Sequence, residues 1–203
     1  RIDWACHAND AATVFQEVID MDAAVKVALD FYEKHPDETL IVITADHETG
    51  GIALGTGKYL LNLGVLQYQK VSKDDLTAEI KKLRKEKNNK VSWEDVQELL
   101  RKNLGFWDQV ALSEGQEKAL KEVYKDSFRG KKVEMEKNLY SSNEPLAKEA
   151  IKILDAIAMV GWTSGGHSAG VVPVYAIGAG SELFNGKLDN IDIPRKIAEA
   201  AGY

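Results

Sequence analysis

The first long pattern along the chain is that of an amphipathic helix. Between residues 9 and 34, apolar side chains recur at three- and four-residue spacing, which predicts one helix with an apolar face. Pro36 is expected to end this segment, because a proline disfavours helical backbone at the residue before it. Residues 39–44 are apolar or β-branched without alternation, which is typical of a strand buried on both faces of a parallel sheet. Helix, turn and buried strand in this order indicate an α/β fold.

The middle of the chain, residues 72–130, differs in character and predicts a helical insertion. Three charged amphipathic segments follow Ser72, Ser92 and Ser113, each of which has an Asp or a Gln three residues later. This spacing is a capping box or close to one, in which a serine side chain caps the start of a helix. We expect the insertion to shape or cover a site without chemistry of its own. The alternative is a non-catalytic module whose helices bind a partner.

The last third of the chain returns to α/β character. A helix is predicted over residues 145–160, with Pro145 in its first turn. A glycine-rich loop over residues 161–170 leads into a second apolar run, 171–177, which predicts another buried strand. Pro173 within that run indicates an edge strand or a bulge, because proline cannot donate to a sheet ladder. A short helix over residues 194–201 ends the sequence.

Composition narrows the function classes. The 203 residues are enough for one domain with an insertion, so we expect residues 1–203 to belong to a single α/β domain. No apolar run reaches about 18 residues, which argues against a membrane span. The net charge is −6 with scattered Lys and Arg, which argues against a nucleic-acid interface. Cys6 is the only cysteine, so an internal disulfide is excluded.

The strongest chemical signal is the pair Asp46-His47, directly after the apolar run 39–44. Open α/β sheets bind ligands beyond the carboxyl ends of their strands, which is where this pair falls. Carboxylate and neutral imidazole are both good ligands of Zn²⁺. Gly50 and Gly51 would then let the chain turn back closely. A turn aspartate beside an unrelated histidine is the structural alternative.

Three further residues extend this signal to a two-metal site. Asp3 and His7 are four residues apart, and His167 lies in the glycine-rich loop. We expect Asp3 at a strand end and His7 near the start of a helix; a shared helical turn is the alternative. Two metal ions about 3.5–4 Å apart can clamp the attacking and leaving oxygens of a displacement reaction. Five such ligands therefore predict a two-metal hydrolase, and His35 is assigned no function.

The sequence resembles the alkaline phosphatase family in three motifs that occur in the family's order. They are IDWACHAND at residues 2–10, TADHETGG at 44–51 and GGHS at 165–168. The resemblance implies a zinc metalloenzyme that hydrolyses phosphomonoesters, usually in the periplasm or outside the cell, as a homodimer. It also implies a three-layer fold with a mainly parallel central sheet between layers of helices.

Carried over by position, the resemblance implies that Asp3, His7 and His167 bind the first zinc, and that Asp46 and His47 bind the second. A third site in the family holds Mg²⁺, and its ligands have no counterpart in this sequence. The family's nucleophilic serine lies in an Asp-Ser-Ala type motif, which is also absent. We therefore expect the C-terminal part of an alkaline phosphatase, inactive by itself and prone to self-association. Ser164 and Ser168 are expected to be loop residues that flank His167.

Two other functions stay open from the sequence. Phosphodiesterases, phosphomutases and sulfatases of the same superfamily share the Asp-His arrangement at a strand end. The sequence TADHETGG at residues 44–51 favours a phosphatase over these. A metal-binding or interaction module without catalysis is the second.

Overall fold

The computed structural model describes residues 1–57, 59–129, 135–137 and 142–203. They divide into two compact units, the first made of residues 1–17 and 49–166, the second of residues 18–48 and 167–203. In chain order the elements are α1 (Ile2–His7), α2 (Ala11–Tyr32), β1 (Leu40–Ile43), β2 (Ile52–Leu54), α3 (Lys73–Glu86), α4 (Trp93–Leu104), α5 (Glu114–Arg129), β3 (Glu136–Lys137), β4 (Ser142–Asn143), α6 (Pro145–Ile157), β5 (Val160–Trp162), β6 (Tyr175–Gly178) and α7 (Asp192–Ala200), with short 3₁₀ helices at Leu63–Tyr68 and Ser181–Phe184. The boundary between the units falls within α2. The expectation of a single domain with an insertion stays a prediction.

The three helices predicted between residues 72 and 130 are confirmed, and their serine caps are formed. In α4, Ser92 Oγ accepts from the backbone N–H of Asp95 at 3.1 Å, and Asp95 Oδ2 accepts from the N–H of Ser92 at 2.9 Å. The side chain and N–H of Ser113 make the same exchange with Gln116 at the start of α5. Gly105 ends α4 with a left-handed φ of 70°, which is common for glycine after the last helical turn.

The apolar core of the described residues lies in the first unit. Helices α3 to α6 contribute most of its large, fully buried side chains, which are Leu76, Ile80, Val96, Leu100, Leu104, Leu120, Leu146, Ile151 and Leu154, and the segment between α4 and α5 adds Phe106 and Val110. Helix α6 starts at Pro145 as predicted, and its N-cap is Glu144, whose carboxylate accepts from the N–H of Leu146 at 2.7 Å. This core holds the predicted insertion and α6 in one packed body.

The second unit is built on a short antiparallel pair. Strand β1 runs against β6, with Leu40 opposite Gly178 and Ile43 opposite Tyr175. The strands are shorter than predicted, since β6 starts at Tyr175 and not at residue 171. All four residues of β1 are half-buried, so the expected burial of this strand on both faces is wrong for the described residues.

Among the described residues, the sheets are three two-stranded antiparallel pairs: β1 with β6, β2 with β5 and β3 with β4. Outside these three pairs, an isolated bridge between Phe106 and Val110 is parallel. The described residues thus combine helices with small antiparallel sheets. The mainly parallel central sheet is not among these pairings and stays a prediction.

Candidate metal centre

Helix α1 brings Asp3 and His7 together in the first unit. The four-residue spacing places both side chains on one helical face, and His7 Nε2 lies 3.5 Å from Asp3 Oδ1. The expectation that Asp3 lies at a strand end is wrong, and the helical alternative is correct. The His7 side chain is 4% exposed and that of Asp3 33% exposed, so the carboxylate faces solvent more than the imidazole does.

The second ring nitrogen of His7 fixes its orientation. His7 Nδ1 lies 2.8 Å from the carbonyl oxygen of Gly165, which can only accept a hydrogen bond. Nδ1 therefore carries a proton, and in the neutral ring Nε2 keeps its lone pair on the side of Asp3. A histidine that donates its other N–H to a backbone carbonyl is the usual arrangement of a metal ligand.

Two neighbouring side chains hold this pair in place. Thr49 Oγ1 donates to Asp3 Oδ1 at 2.6 Å. Asn9, which follows α1 with a left-handed φ of 49°, donates through Nδ2 to the carbonyl oxygens of Ser164 at 2.8 Å and of Cys6 at 3.2 Å. The end of α1 is thus tied to the glycine-rich loop that carries the acceptor of His7.

Gly50 is required where the chain passes under Trp162. Its N–H donates to the carbonyl oxygen of Gly166 at 2.8 Å, and its φ is +82°. A Cβ at this position would lie 2.8 Å from the Trp162 ring and 3.1 Å from the carbonyl oxygen of Cys6. Only glycine allows this close approach, which explains the use of glycine in the TADHETGG motif.

The second unit holds the other three predicted ligands. Asp46 Oδ2 lies 3.4 Å from His47 Nε2. The rings of His47 and His167 are stacked, with centroids 3.6 Å apart and an interplanar angle of 27°. The Asp46 side chain is 78% exposed, and that of His47 is 33% exposed. Loops far apart in sequence therefore bring an aspartate and two histidines together beside the β1–β6 pair.

Further contacts position the loops of this second group. Glu48 Oε2 accepts from the N–H of Ser168 at 3.1 Å, which links the two histidine-bearing loops. Asn190 Nδ2 donates to the carbonyl oxygen of Asp46 at 3.3 Å. Glu48 and Ser168 belong to the motifs at residues 44–51 and 165–168, so their contact joins two of the family motifs.

The donor atoms of both groups fit a borderline metal ion such as Zn²⁺. Each group contains carboxylate oxygen and imidazole nitrogen within 3.5 Å of each other, and Zn²⁺ binds such donors at about 2.0–2.2 Å. Hard ions such as Mg²⁺ prefer all-oxygen sites, which three histidines do not supply.

A buried polar network lies behind α1. Asp10 caps α2 by accepting from the N–H of Thr13 at 3.1 Å, and its other oxygen accepts from the N–H of Lys73 at 2.8 Å. Asp155 Oδ2 accepts from Trp162 Nε1 at 2.8 Å and, more weakly, from the N–H of Ala11 at 3.4 Å. Burial raises the pKa of Asp155 to about 7, against the lowering effect of the Trp162 hydrogen bond.

Sequence reasoning did not find the supporting roles of Asn9, Thr49 and Asp155. Asn9 and Thr49 lie inside the quoted motifs, next to the predicted ligands, so their positions could have suggested them. Asp155 gives no such signal, because an aspartate in an amphipathic helix is usually exposed.

Comparison with known proteins bears directly on this site. A model of the alkaline phosphatase family matches residues 1–203. The chain is 31% identical over 213 residues to "Alkaline phosphatase 3" of Bacillus subtilis, covering 100% of this chain and 38% of that protein. It is 28% identical over 200 residues to the "Repressible alkaline phosphatase" of Saccharomyces cerevisiae, covering 94% and 32%.

Solved structures agree with the sequence relatives. The cold-active alkaline phosphatase of a psychrophilic Shewanella sp. matches with a TM-score of 0.72 and 28% identity, over 98% of this chain and 42% of that one. The alkaline phosphatase of Thermus thermophilus matches with a TM-score of 0.67 and 25% identity, over 98% and 41%. The chain thus spans less than half the length of these relatives.

The fold defined by these likenesses is the α/β fold of the alkaline phosphatases. The chain belongs to the alkaline phosphatase family, whose members generally bind metal ions. Among the described residues, no helix is long and apolar enough to cross a membrane.

Proposed function

We propose that this chain is the ligand-bearing part of a zinc-dependent phosphomonoester hydrolase, an alkaline phosphatase. The observation that carries the proposal is the family match over residues 1–203. The pairing of Asp3 with His7 on α1 supports it. Relatives named alkaline phosphatases, from Bacillus subtilis and from yeast, support hydrolysis of phosphomonoesters over the diester and sulfate chemistry of related superfamilies.

Asp3, His7 and His167 would bind the first Zn²⁺, and Asp46 and His47 would bind the second. The protonated Nδ1 of His7 puts the lone pair of the neutral ring on Nε2, the nitrogen that would bind a metal, and the stacked rings of His47 and His167 place two imidazoles side by side. When bound, Zn²⁺ lowers the pKa of a coordinated hydroxyl or water, which supplies a nucleophile at moderate pH. The role of this chain is then to hold the five metal ligands in position. Thr49 orients Asp3, the carbonyl oxygen of Gly165 orients His7, and Glu48 links the loops of His47 and His167.

Neither glycine-loop serine is proposed as the nucleophile. Ser164 Oγ donates to the carbonyl oxygen of Gly166 at 2.9 Å and accepts from its N–H at 3.2 Å. Ser168 Oγ accepts from the N–H of Gly170 at 3.1 Å. Both hydroxyls are engaged in their own loop, which supports the expectation that the Asp-Ser-Ala motif absent from this sequence provides the nucleophile.

The remaining expectations from the family belong to this proposal as well. They are a Mg²⁺ site with ligands outside this sequence, a mainly parallel central sheet, a homodimer, and a periplasmic or extracellular location.

Turnover of p-nitrophenyl phosphate tests the proposal that this chain supplies metal ligands but not the nucleophile. The 203-residue chain, supplied with Zn²⁺ at alkaline pH, is expected to release p-nitrophenol no faster than its Asp3→Ala variant does. A matched assay with bis(p-nitrophenyl) phosphate checks the diester alternative. Zinc-dependent turnover of either ester that Asp3→Ala abolishes would show that the nucleophile lies within these residues, and would overturn the assignment of Ser164 and Ser168.

A further inference from the structure

A cavity of about 390 Å³ lies within the first unit, and several of its lining side chains are positively charged. Its lining residues include four lysines, Lys73, Lys137, Lys148 and Lys152, and one carboxyl, that of Asp155. His7 lines the same cavity. We call this space the lysine cavity. Its volume falls within the range of small-ligand pockets, about 300–1,000 Å³.

Among the described residues that line the cavity, four lysines face the single carboxyl of Asp155, so this part of the lining favours anions. Lys73 is buried, and its Nζ donates to the carbonyl oxygen of Ala8, so this charge is fixed in place. Lys152 pairs with Glu149 at 3.2 Å, in an exposed contact that releases the ammonium group at little cost. Ammonium groups gathered around a concave space raise the local concentration of small anions.

Asp155 supplies a second and independent observation. The residue is 2% exposed, and its Oδ1 has no hydrogen-bond partner among the described residues. A buried acceptor without a donor destabilises the folded state, because it has lost its hydrogen bonds to water. Because Asp155 lines the cavity, a hydroxyl group of a molecule bound there is the candidate donor to this oxygen. The Trp162 ring, also in the lining, offers an apolar face to the carbon skeleton of the same molecule.

We propose that the lysine cavity binds small hydroxylated organic anions with at least two anionic groups, such as sugar bisphosphates. Since His7 belongs to both the cavity lining and the predicted first zinc site, the bound molecule would be the alcohol half of a substrate. That last identification rests on the proposed phosphatase function; the binding itself does not.

Calorimetric titration with fructose bisphosphate, in the presence of a zinc chelator, tests the cavity. The double variant Lys148→Gln/Lys152→Gln is expected to bind about tenfold more weakly than the unaltered chain. The control Lys81→Gln/Lys82→Gln removes two exposed lysines of α3 that do not line the cavity, and should change the affinity less than about twofold. Equal losses in both double variants, or no binding to the unaltered chain, would overturn the proposal.

The hydroxyl requirement is tested on the unaltered chain. Fructose bisphosphate should bind about fivefold more tightly than an alkane diphosphonate of equal span, because one hydrogen bond to Asp155 is worth about 1 kcal/mol. Equal affinities would show that water serves Oδ1 and would reject that part of the proposal.

Zinc separates this inference from the proposed function. Saturating Zn²⁺ should tighten the binding of fructose bisphosphate to the unaltered chain, and should not do so in a His7→Ala variant. No effect of zinc, with chelator-stable binding that needs Lys148 and Lys152, would reject the link to the phosphatase site and leave the cavity as an anion site.

Discussion

At the residue scale, Asp155 carries a carboxyl group in an environment that opposes its charge. Burial is the main cause of its raised pKa, and the charge of Asp10 adds to it. The folded state therefore keeps a proton that the unfolded chain releases, between the ordinary pKa of 3.8 and about 7. Across this window the folded state binds more protons than the unfolded state, so this group's contribution to stability falls as pH rises.

Asp155→Asn should remove that dependence. The amide oxygen can still accept from Trp162 and Ala11, and no buried charge forms above the native pKa. Relative to the unaltered chain, we expect the variant to gain on the order of 3 kcal/mol of unfolding free energy between about pH 4 and about pH 8. Urea denaturation at both pH values measures this, with exposed Asp20→Asn as the control. Parallel pH profiles for the three proteins would contradict the assigned cause.

The residues of the candidate site differ in how far sequence could identify them. Asp3, His7, Asp46, His47 and His167 can be predicted as ligands, because the family motifs fix both residue type and spacing. The hydrogen bonds that orient them join partners 46, 120 and 158 residues apart in sequence, as in Asp3–Thr49, Glu48–Ser168 and His7–Gly165. Such pairings depend on the folded chain path, which no local pattern encodes.

At the element scale, an ion pair connects helix α3 to the N-terminus of helix α6. Arg84 Nη2 donates to Glu144 Oε1, and the Glu144 side chain is 1% exposed. Burial raises the pKa of Glu144, and the charge of Arg84 is the first of the effects that oppose this rise. The Arg84 guanidinium also lies 4.2 Å from the centre of the Phe128 ring of α5, so three helices meet here.

Arg84→Met should destabilise the first unit strongly. The substitution leaves a buried carboxylate at the start of α6 without its cation, which typically costs about 3–5 kcal/mol. The matched control is Arg101→Met, because Arg101 pairs with Glu98 on the exposed face of α4 at 2.7 Å and should lose less than about 1 kcal/mol. Chemical denaturation distinguishes them; equal losses would show that the Arg84–Glu144 pair does not hold the helices together.

Helices were predicted more completely than strands, for reasons that particular residues show. Ser72, Ser92 and Ser113 cap the starts of α3, α4 and α5 through local hydrogen bonds, and the sequence pattern of a capping box predicts such bonds. The strand expected over residues 171–177 shortens because Pro173 has no N–H for the ladder, and its carbonyl oxygen instead accepts from Thr44 Oγ1 at 3.1 Å. Helix α1, six residues long, is too short to show a pattern of its own.

At the scale of the whole molecule, the two units differ in how much apolar surface they bury. The first unit encloses the core, whereas in the second Phe184 is the only large apolar side chain among the described residues that is buried. Val27 and Phe31 of α2 are 70% and 57% exposed, and Tyr175 of β6 is 63% exposed. Apolar surface of this kind promotes association.

We therefore expect the chain to self-associate in solution. Sedimentation velocity over a range of concentrations should show a rising average mass. A Val27→Lys/Phe31→Lys variant should reduce the association, since both positions lie on one face of α2 and the new charges oppose burial. A monomer at every concentration would contradict this expectation.

The central claim is that this member of the alkaline phosphatase family supplies zinc ligands, and zinc affinity tests it most directly. Competition with a chromophoric zinc chelator should show that the unaltered chain binds Zn²⁺, and that His7→Ala and His167→Ala each bind at least about tenfold more weakly. His35→Ala, which removes the fourth histidine, an exposed residue three positions after α2, should bind as the unaltered chain does. An unaltered chain that binds no zinc, or four proteins with the same affinity, would contradict the claim.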